Sequence, residues 1–256
     1  MQLSLRKKVL LSVGISGIIL IISLSAIVGY RVYLFVEAHS IDLARKTSKE
    51  IAQRIENYIE IPFKQTQTLA NILSETRPDR NGFNAIIRKL KENDDDTIIG
   101  TYGIFEPYLF DGRDDEYKFA GSKDHDATGR FIPYFTKTKE GISQLEVNHN
   151  FETESADTQY YHYPKKHLKS YISEPYKYEI KSRNENVFMI SITSPITRNG
   201  KFIGVVGLDI ALKDMHEFIK NMNLEDTYIV IYSDTGKVIS AKKEEHIGLG
   251  IEQTTS

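Results

Sequence analysis

A single carboxylate lies near the end of an otherwise apolar segment. Residues 202–210 read FIGVVGLDI, a pattern that predicts a buried β-strand, and Asp209 is the only charged residue in it. Strand periodicity places Asp209 on the same face as Gly207 and on the face opposite Phe202. An ionised carboxylate in an apolar interior is costly unless a cation, backbone donors or a ligand pairs with it. Asp209 is therefore a candidate for binding a cationic or N–H-bearing group, and the alternative is that it caps a helix starting at Ala211.

Other chemistry-bearing runs are weaker candidates. The sequence DHD at 124–126 contains metal-ligand types, but it lies in a polar loop, where such a run is usually solvated. The acidic run at 111–116 lacks the spaced oxygens and final Glu of a calcium loop. The chain has no cysteine, and phosphate-loop, dinucleotide and Ser-His-Asp signatures are absent. We therefore predict no catalysis, no metal and no cofactor.

The composition is that of a globular protein without a nucleic-acid partner. Of the 256 residues, 40% are hydrophobic and 27% are charged. The 33 basic residues nearly balance the 35 acidic ones, so the net charge is −2. Nucleic-acid binding needs a basic excess on one face, and this balance gives no reason to expect one.

The N-terminal segment predicts a membrane anchor. Basic residues at 6–8 precede residues 9–30, which carry no charge. As a helix, such a run spans about 33 Å, enough to cross a bilayer, and its basic flank keeps the N-terminus in the cytoplasm. The alternative is a cleaved signal peptide, although the apolar run is longer than a usual signal core. We expect a single span in the inner membrane, with most of the chain periplasmic or extracellular.

Helical patterns flank the middle of the chain. Residues 37–74 contain no glycine and repeat apolar positions at helical spacing, which predicts a long stalk helix with a kink at Pro62. Shorter helices are expected near residues 83–90 and 211–223. The apolar stripe of the stalk helix predicts a homodimer interface, and the alternative is that it packs within the same chain.

Strand patterns lie between these helices. The candidates are residues 97–105, 129–135, 171–180, 186–196 and 202–210. Asn199-Gly200 predicts a tight hairpin between the last two, because both central positions of such a turn need positive φ. Residues 227–250 predict one more strand, turn and strand, with the turn at 234–236.

Six stretches of the chain, taken together, are typical of one receptor family. They lie at residues 103–117, 126–135, 160–166, 173–178, 194–210 and 231–248 and read GIFEPYLFDGRDDEY, DATGRFIPYF, YYHYPKK, SEPYKY, SPITRNGKFIGVVGLDI and IYSDTGKVISAKKEEHIG. In this order they resemble the double Cache sensor domain of bacterial transmembrane receptors, most closely that of methyl-accepting chemotaxis proteins. The resemblance implies an α+β fold in which a PAS-like antiparallel sheet holds a small molecule.

The resemblance also implies a domain organisation. The expected parts are a cytoplasmic N-terminus and transmembrane helix (1–36), a stalk helix (37–76), a membrane-distal ligand-binding Cache module (77–211), and a connecting helix with an incomplete membrane-proximal module (212–256). A second transmembrane helix and a cytoplasmic signalling part are expected to follow, so the chain looks like a fragment or a truncated product.

The resemblance locates a ligand site but with altered residues. In the family's amino-acid-binding subtype, an Arg holds the ligand carboxylate and two Asp hold its ammonium group. Ile132 stands at the arginine position and Tyr178 at one of the aspartates, so only Asp209 matches. A site without the arginine has lost its bidentate clamp for a carboxylate. Arg130 shares a strand face with Ile132 and is the residue that could replace it.

The remaining candidate site is an aromatic set with one anion. Its members are Tyr134, Phe135, Tyr161, Tyr176, Tyr178, Arg130 and Asp209. Aromatic faces and a carboxylate suit an organic cation, an amine, an amino-acid-like compound or an N–H-bearing heteroaromatic ring. The alternative is that the aromatic residues only fill the core of the sheet.

The sequence thus predicts the small-molecule-sensing domain of a transmembrane chemoreceptor, and not an enzyme. Ligand binding would favour one arrangement of the stalk helix over another. The sensor part of a histidine kinase or diguanylate cyclase is an alternative, because only the missing output part distinguishes it. A membrane-anchored adhesion or structural module is a second alternative, and it would not need a pocket with a carboxylate.

Overall fold

The chain divides into two compact units, residues 1–57 and 58–256. A computed structural model describes residues 5–92, 98–121, 123–138, 141, 143–220, 230–241 and 243–254. Helix α1 (Leu5–Glu75) contains the predicted anchor and the predicted long helix in one element, with Pro62 inside it. Within the described residues, it is the one helix long and apolar enough to cross a membrane.

An antiparallel sheet with short helices forms most of the second unit. The helices are α2 (Arg80–Glu92), α3 (Asp114–Tyr117) and α4 (Gln159–His167). The strands are β1 (Gly100–Phe105), β2 (Pro133–Lys137), β3 (Ser143–Val147), β4 (Tyr171–Ile172), β5 (Tyr176–Ile180), β6 (Glu185–Arg198) and β7 (Lys201–Ala211). Their order in the described sheet is β3-β2-β1-β7-β6-β4, with β5 also paired to β6. The predicted α+β fold is confirmed.

The β6–β7 hairpin fixes the position of the predicted carboxylate. Asn199 and Gly200 have φ of 51° and 72°, as the tight turn requires. Thr197 pairs with Phe202 but Ile196 pairs with Gly204, so Ile203 is an extra residue on β7. This bulge reverses the alternation of side chains. The prediction that Phe202 faces away from Asp209 was therefore wrong, since Phe202 packs in the same core cluster as the residues around Asp209.

The two faces of the sheet have different cores. On one face, α2 and the last turns of α1 contribute Leu73, Phe83 and Ile87 to an aliphatic and phenylalanine cluster. Phe83 is central in it, with ring-centroid distances of 5.1 Å to Phe105 and 5.5 Å to Phe131. The other face is rich in tyrosines and is covered by α4, which lies against β6 and β7. Helices α1 and α2 thus cover one face of the sheet, and α4 covers the tyrosine face, on which the candidate site lies.

A buried arginine joins the loops on either side of α3. Arg80 of α2 is 3% exposed and forms ion pairs with Asp111 (2.9 Å) and Asp114 (2.8 Å). Its Nη1 donates to the carbonyl of Gly129 at 2.9 Å, and its guanidinium stacks 3.7 Å above the Tyr117 ring. Two carboxylates of the acidic run at 111–116, those of Asp111 and Asp114, therefore neutralise a buried arginine and have a structural role.

A smaller element follows the main sheet. Helix α5 (Leu212–Lys220) leads to a two-stranded sheet of β8 (Ile231–Tyr232) and β9 (Val238–Ser240). The turn between them contains Gly236 at φ 81°, so the predicted strand, turn and strand are confirmed. The predicted helical residues 221–223 lie outside the described residues. Lys237 donates to the carbonyl of Pro175 at 2.5 Å, which ties this hairpin to the segment before β5.

Candidate functional site

Asp209 is buried in the middle of the sheet. It lies on β7 between Gly100 of β1 and Ser191 of β6, and it is 2% exposed. The Ser191 hydroxyl donates to the Asp209 carboxylate at 2.5 Å, and it lies 2.7 Å from the Tyr176 hydroxyl. In the part of the chain that the structure describes, no basic side chain forms an ion pair with Asp209. The alternative that Asp209 caps a helix is wrong, since α5 begins only at Leu212.

Five tyrosines form a closed ring of contacts on the face of Asp209, and we call them the tyrosine cage. In the order of their contacts they are Tyr102, Tyr134, Tyr178, Tyr176 and Tyr160. Successive aromatic rings are 5.3 to 6.4 Å apart between centroids, and the last contacts the first. They come from β1, β2, β5 and α4. Such a cage presents aromatic faces to a cation, which the ring quadrupoles attract.

Two hydroxyl groups of the cage form no hydrogen bond of normal geometry, although that of Tyr134 is close enough to Asp209 to lower the pKa of its carboxyl and that of Tyr102 is close to Ser191. Both are buried, and buried hydroxyls are normally bonded. Glycines make room for both rings, because a Cβ on Gly207 would overlap Tyr102 and one on Gly100 would overlap Tyr134. Such hydroxyls beside a carboxylate are the polar groups that a bound ligand would satisfy.

A second buried carboxylate borders the cage. Glu146 of β3 is the cross-strand partner of Tyr134. One of its oxygens accepts from the backbone N–H of Ser182 at 2.9 Å, and the other is buried without a partner. His149 Nδ1 forms a hydrogen bond of 3.1 Å with the Tyr178 hydroxyl, and its Nε2 is buried without a partner. This side of the cage therefore carries further free acceptor or donor positions.

Burial controls the protonation of the site. It raises the pKa of Asp209 to about 7, although the hydrogen bond from Ser191 opposes this. Burial also raises the pKa of all five cage tyrosines, and the charge of Asp209 raises them further. The tyrosines are thus neutral at physiological pH, and Asp209 is the group that changes charge.

We expect the ligand-free protein to lose stability as pH rises from about 4 to about 7. The unfolded chain releases the Asp209 proton near its ordinary pKa of 3.8, whereas the folded protein keeps it until about 7. The folded state binds more protons in this window, so its free energy of unfolding falls by about 4 kcal/mol at most and levels off above pH 7. Urea unfolding of wild type and Asp209→Asn at pH 5 to 8 measures the difference. Parallel pH dependences in the two proteins would contradict this expectation.

The structure brings together only part of the predicted site. Tyr134, Tyr176 and Tyr178 belong to the tyrosine cage with Asp209. Phe135 follows Tyr134 on β2 and therefore points to the opposite face, where it packs in the phenylalanine cluster. It is not part of the cage.

Tyr161 and Arg130 belong to a neighbouring group that we call the Glu106 cluster, consisting of Glu106, Arg130, Tyr161 and Lys165. The Tyr161 hydroxyl donates to Glu106, and Lys165 pairs with the same carboxylate oxygen at 2.7 Å. Arg130 donates to the Tyr161 hydroxyl at 2.8 Å and to the Phe105 carbonyl at 2.6 Å. These contacts fasten α4 to the end of β1. They also leave the Arg130 guanidinium engaged within the protein.

Tyr102, Tyr160 and Ser191 were missed by the sequence analysis. Tyr102 and Ser191 join the site through strand register, since they pair with Gly207 and Asp209 on β7. The glycine at 207 was the available signal, because a glycine inside a strand often marks a place where a neighbouring group approaches closely. Tyr160 lies on α4, in a segment for which no helix was predicted.

The fold resembles solved sensor domains of membrane receptors. The structure of Methyl-accepting Chemotaxis protein X superposes with a TM-score of 0.71 at 24% identity, covering 84% of this chain and 78% of that one. The extracellular domain of mmHK1S-Z3, which is assigned as a histidine kinase, gives a TM-score of 0.68 at 28% identity and covers 79% of this chain and 73% of that one. The second unit is thus a Cache-type sensor domain.

The sequence match specifies the family. Residues 83–217 match the family described as methyl-accepting chemotaxis protein-like, first PDC sensor domain, and the chain belongs to it. Methyl-accepting chemotaxis protein TlpQ from Pseudomonas aeruginosa is 30% identical over 151 residues, which are 55% of this chain and 20% of TlpQ. The predicted chemoreceptor resemblance is confirmed, and the match spans about a fifth of that relative's length.

Proposed function

We propose that the chain senses a small organic cation for a transmembrane chemoreceptor and binds it in the tyrosine cage. The observation that carries this proposal is the environment of Asp209, a buried carboxylate that faces five tyrosines and that, among the described residues, accepts from the Ser191 hydroxyl and pairs with no cation. An ammonium or N–H group bound there would pair with the ionised carboxylate and contact the aromatic faces. The same ligand would give the hydroxyls of Tyr102 and Tyr134 hydrogen bonds of normal geometry.

The ligand is proposed to lack an α-carboxylate. Ile132 is fully buried and apolar where a carboxylate-binding arginine is expected, and Arg130 already donates to Tyr161 and Phe105. Glu146 adds a second negative group at the edge of the cage. These residues favour an amine or an N–H-bearing heteroaromatic compound over an ordinary α-amino acid.

The proposed signal passes through helices. Helix α4 carries Tyr160 and covers the cage, so ligand entry requires α4 to move. A ligand that binds one arrangement of the helices more tightly shifts the equilibrium toward that arrangement.

The remaining proposals concern assembly and organisation. They are a homodimer through the stalk helix, a single span that leaves most of the chain periplasmic, and domain boundaries at 36, 76 and 211. A histidine kinase as output is a second candidate, favoured by the likeness to mmHK1S-Z3.

A ligand screen tests the proposed function. The full chain is purified in detergent, and its thermal unfolding at pH 7.5 is followed by circular dichroism. The melting temperature is measured in the presence of primary amines, heteroaromatic amines, α-amino acids, purines and organic acids. Stabilisation by ligands follows mass action, so a ligand at 100 times its Kd raises the free energy of unfolding by about 2.7 kcal/mol. We expect stabilisation by amines or N–H-bearing rings. If only organic acids stabilise the protein, or no compound does while the protein is folded, the proposal is wrong.

Lys165→Ala is expected to speed both ligand association and dissociation about two- to fivefold with little change in Kd. The Lys165–Glu106 pair is partly exposed and holds α4, and we expect it to do so equally in the free and the bound protein; such a pair contributes roughly 0.2–1 kcal/mol. Stopped-flow tyrosine fluorescence measures both rates with an amine found in the screen. Lys166→Ala, one residue along α4 and exposed, is the matched control. Unchanged rates in Lys165→Ala, or equal changes in both variants, would show that the pair does not control access.

A further inference from the structure

A polar cleft lies where the last turns of α1 pass the final residues of β6. Its volume is about 300 Å³, at the lower end of the range of small-molecule sites. Six of the residues that line it carry an amide or a hydroxyl group, and they are Gln67, Asn71, Ser74, Ser170, Ser194 and Thr197. No lining residue is charged, and none belongs to the tyrosine cage or the Glu106 cluster. The cleft is therefore separate from the site proposed for the organic cation.

An unpaired strand edge forms one wall of the cleft. On the side away from β7, the pairing of β6 with β4 ends at Thr193, which lies opposite Tyr171. Past this residue no other described strand continues the sheet, and the backbone N–H of Thr197 donates to the Ser74 hydroxyl of α1 at 3.1 Å. Pro195, in the same stretch, has no N–H with which to bind a further strand. An added peptide strand is thus disfavoured, and the open edge suits a small molecule.

The side chains of the cleft keep unused hydrogen-bonding capacity. Within the described residues, the exposed Asn71 amide forms no hydrogen bond. Gln67 uses only its amide nitrogen, which donates to the Ser170 hydroxyl at 3.3 Å. The Ser170 and Ser194 hydroxyls are 2.8 Å apart, and each can form further hydrogen bonds. Amides and hydroxyls both donate and accept, so they match a ligand whose own hydroxyl groups do the same.

The lining favours an uncharged ligand with several hydroxyl groups. A charged compound would give up its hydration here without meeting an opposite charge. Leu168, which is 45% exposed, and Pro195 add apolar surface against which the C–H groups of a sugar ring can pack. We propose that this cleft is a second binding site, for an uncharged polyhydroxylated compound of monosaccharide size.

The cleft joins α1 to the segment that ends α4. Leu168 follows α4, and its backbone N–H donates to the Pro164 carbonyl at 2.9 Å. Two residues later, Ser170 is bonded to Gln67 of α1. A bound sugar would add contacts between α1 and the end of the helix that covers the tyrosine cage.

Binding is tested on the full chain in a zwitterionic detergent, because the sugar head groups of maltoside detergents would compete. Isothermal titration is carried out with D-glucose, D-galactose, D-ribose and D-mannitol at low millimolar concentrations, at which general stabilisation by excluded sugars is small. We expect wild type to bind at least one of these four compounds. Asn71→Leu and Thr197→Val are expected to bind it about tenfold more weakly, because each removes a hydrogen-bonding group from the cleft.

Control variants separate the cleft from the rest of the protein. Gln65→Leu makes a similar change at an exposed position of α1 outside the cleft, and we expect it to bind the sugar as wild type does. Asp209→Asn is also expected to keep sugar binding, because the cage is a different site. Asn71 is exposed, so an unchanged melting temperature without sugar is expected in Asn71→Leu and shows that the fold is intact.

Three results would overturn the proposal. The first is that none of the four compounds binds to wild type. The second is that Asn71→Leu and Thr197→Val bind the sugar as tightly as wild type does. The third is that Asp209→Asn loses sugar binding while Asn71→Leu keeps it, which would place the sugar in the tyrosine cage.

Discussion

Asp209→Asn is expected to weaken binding of a cationic ligand by about 100-fold or more. Removing one partner of a buried charge pair costs about 2–5 kcal/mol, and each 1.4 kcal/mol is a factor of ten in affinity. The asparagine has nearly the same shape and keeps an oxygen that can accept from Ser191, so the fold is expected to survive. Isothermal titration of both proteins with an amine found in the screen measures the effect.

The same substitution is expected to stabilise the ligand-free protein above pH 7. Burial disfavours the ionised form of Asp209, and the neutral amide removes that cost. Asp234→Asn, at an exposed aspartate in the β8–β9 turn, is the control and is expected to change neither property. A variant that is folded, more stable and much weaker in binding would show that Asp209 serves ligand binding and not the stability of the fold. Unchanged affinity in Asp209→Asn would show that Asp209 does not bind the ligand.

Arg80→Met is expected to lower the free energy of unfolding by about 3–5 kcal/mol. Removing one partner of a buried ion pair leaves the other charge uncompensated, and here two carboxylates, Asp111 and Asp114, would be left. The carbonyl of Gly129 would also lose its donor. Methionine keeps much of the apolar stem, so the loss reports mainly on the charge and its hydrogen bonds.

Urea unfolding at pH 7 measures this effect against a matched control. Arg113→Met removes an arginine from the same region, but Arg113 is exposed and its ion pair with Glu116 lies on the surface. We expect little change in the control, because solvent screens exposed pairs. Equal effects in the two variants would show that burial of the Arg80 network does not contribute to stability.

Much of the fold could be predicted because its signals are local. The apolar run at residues 9–30, the Asn199-Gly200 turn and the apolar pattern that marks β7 as a buried strand each depend on neighbouring residues only. Helix α4 was not predicted, since Tyr160 and Tyr161 carry no clear helical periodicity and Pro164 lies inside it. Packing of these tyrosines on the sheet, a tertiary effect, stabilises that helix.

The site was predicted where strand alternation sufficed. Tyr176 and Tyr178 are two residues apart on β5 and share a face with Asp209. Alternation alone also separates Tyr134 from Phe135, so the inclusion of Phe135 conflicted with a rule already in use. The Ile203 bulge and the pairing of Tyr102 with Gly207 depend on register between distant strands, which one sequence does not specify.

The structure of the protein bound to its tightest amine ligand tests the central claim most directly. We predict a ligand nitrogen about 2.7–2.9 Å from an Asp209 carboxylate oxygen, enclosed by the tyrosine cage. We also predict hydrogen bonds from the ligand to the hydroxyls of Tyr102 or Tyr134, which form none of normal geometry without it. A ligand bound elsewhere, with Asp209 still bonded only to Ser191, would contradict the account.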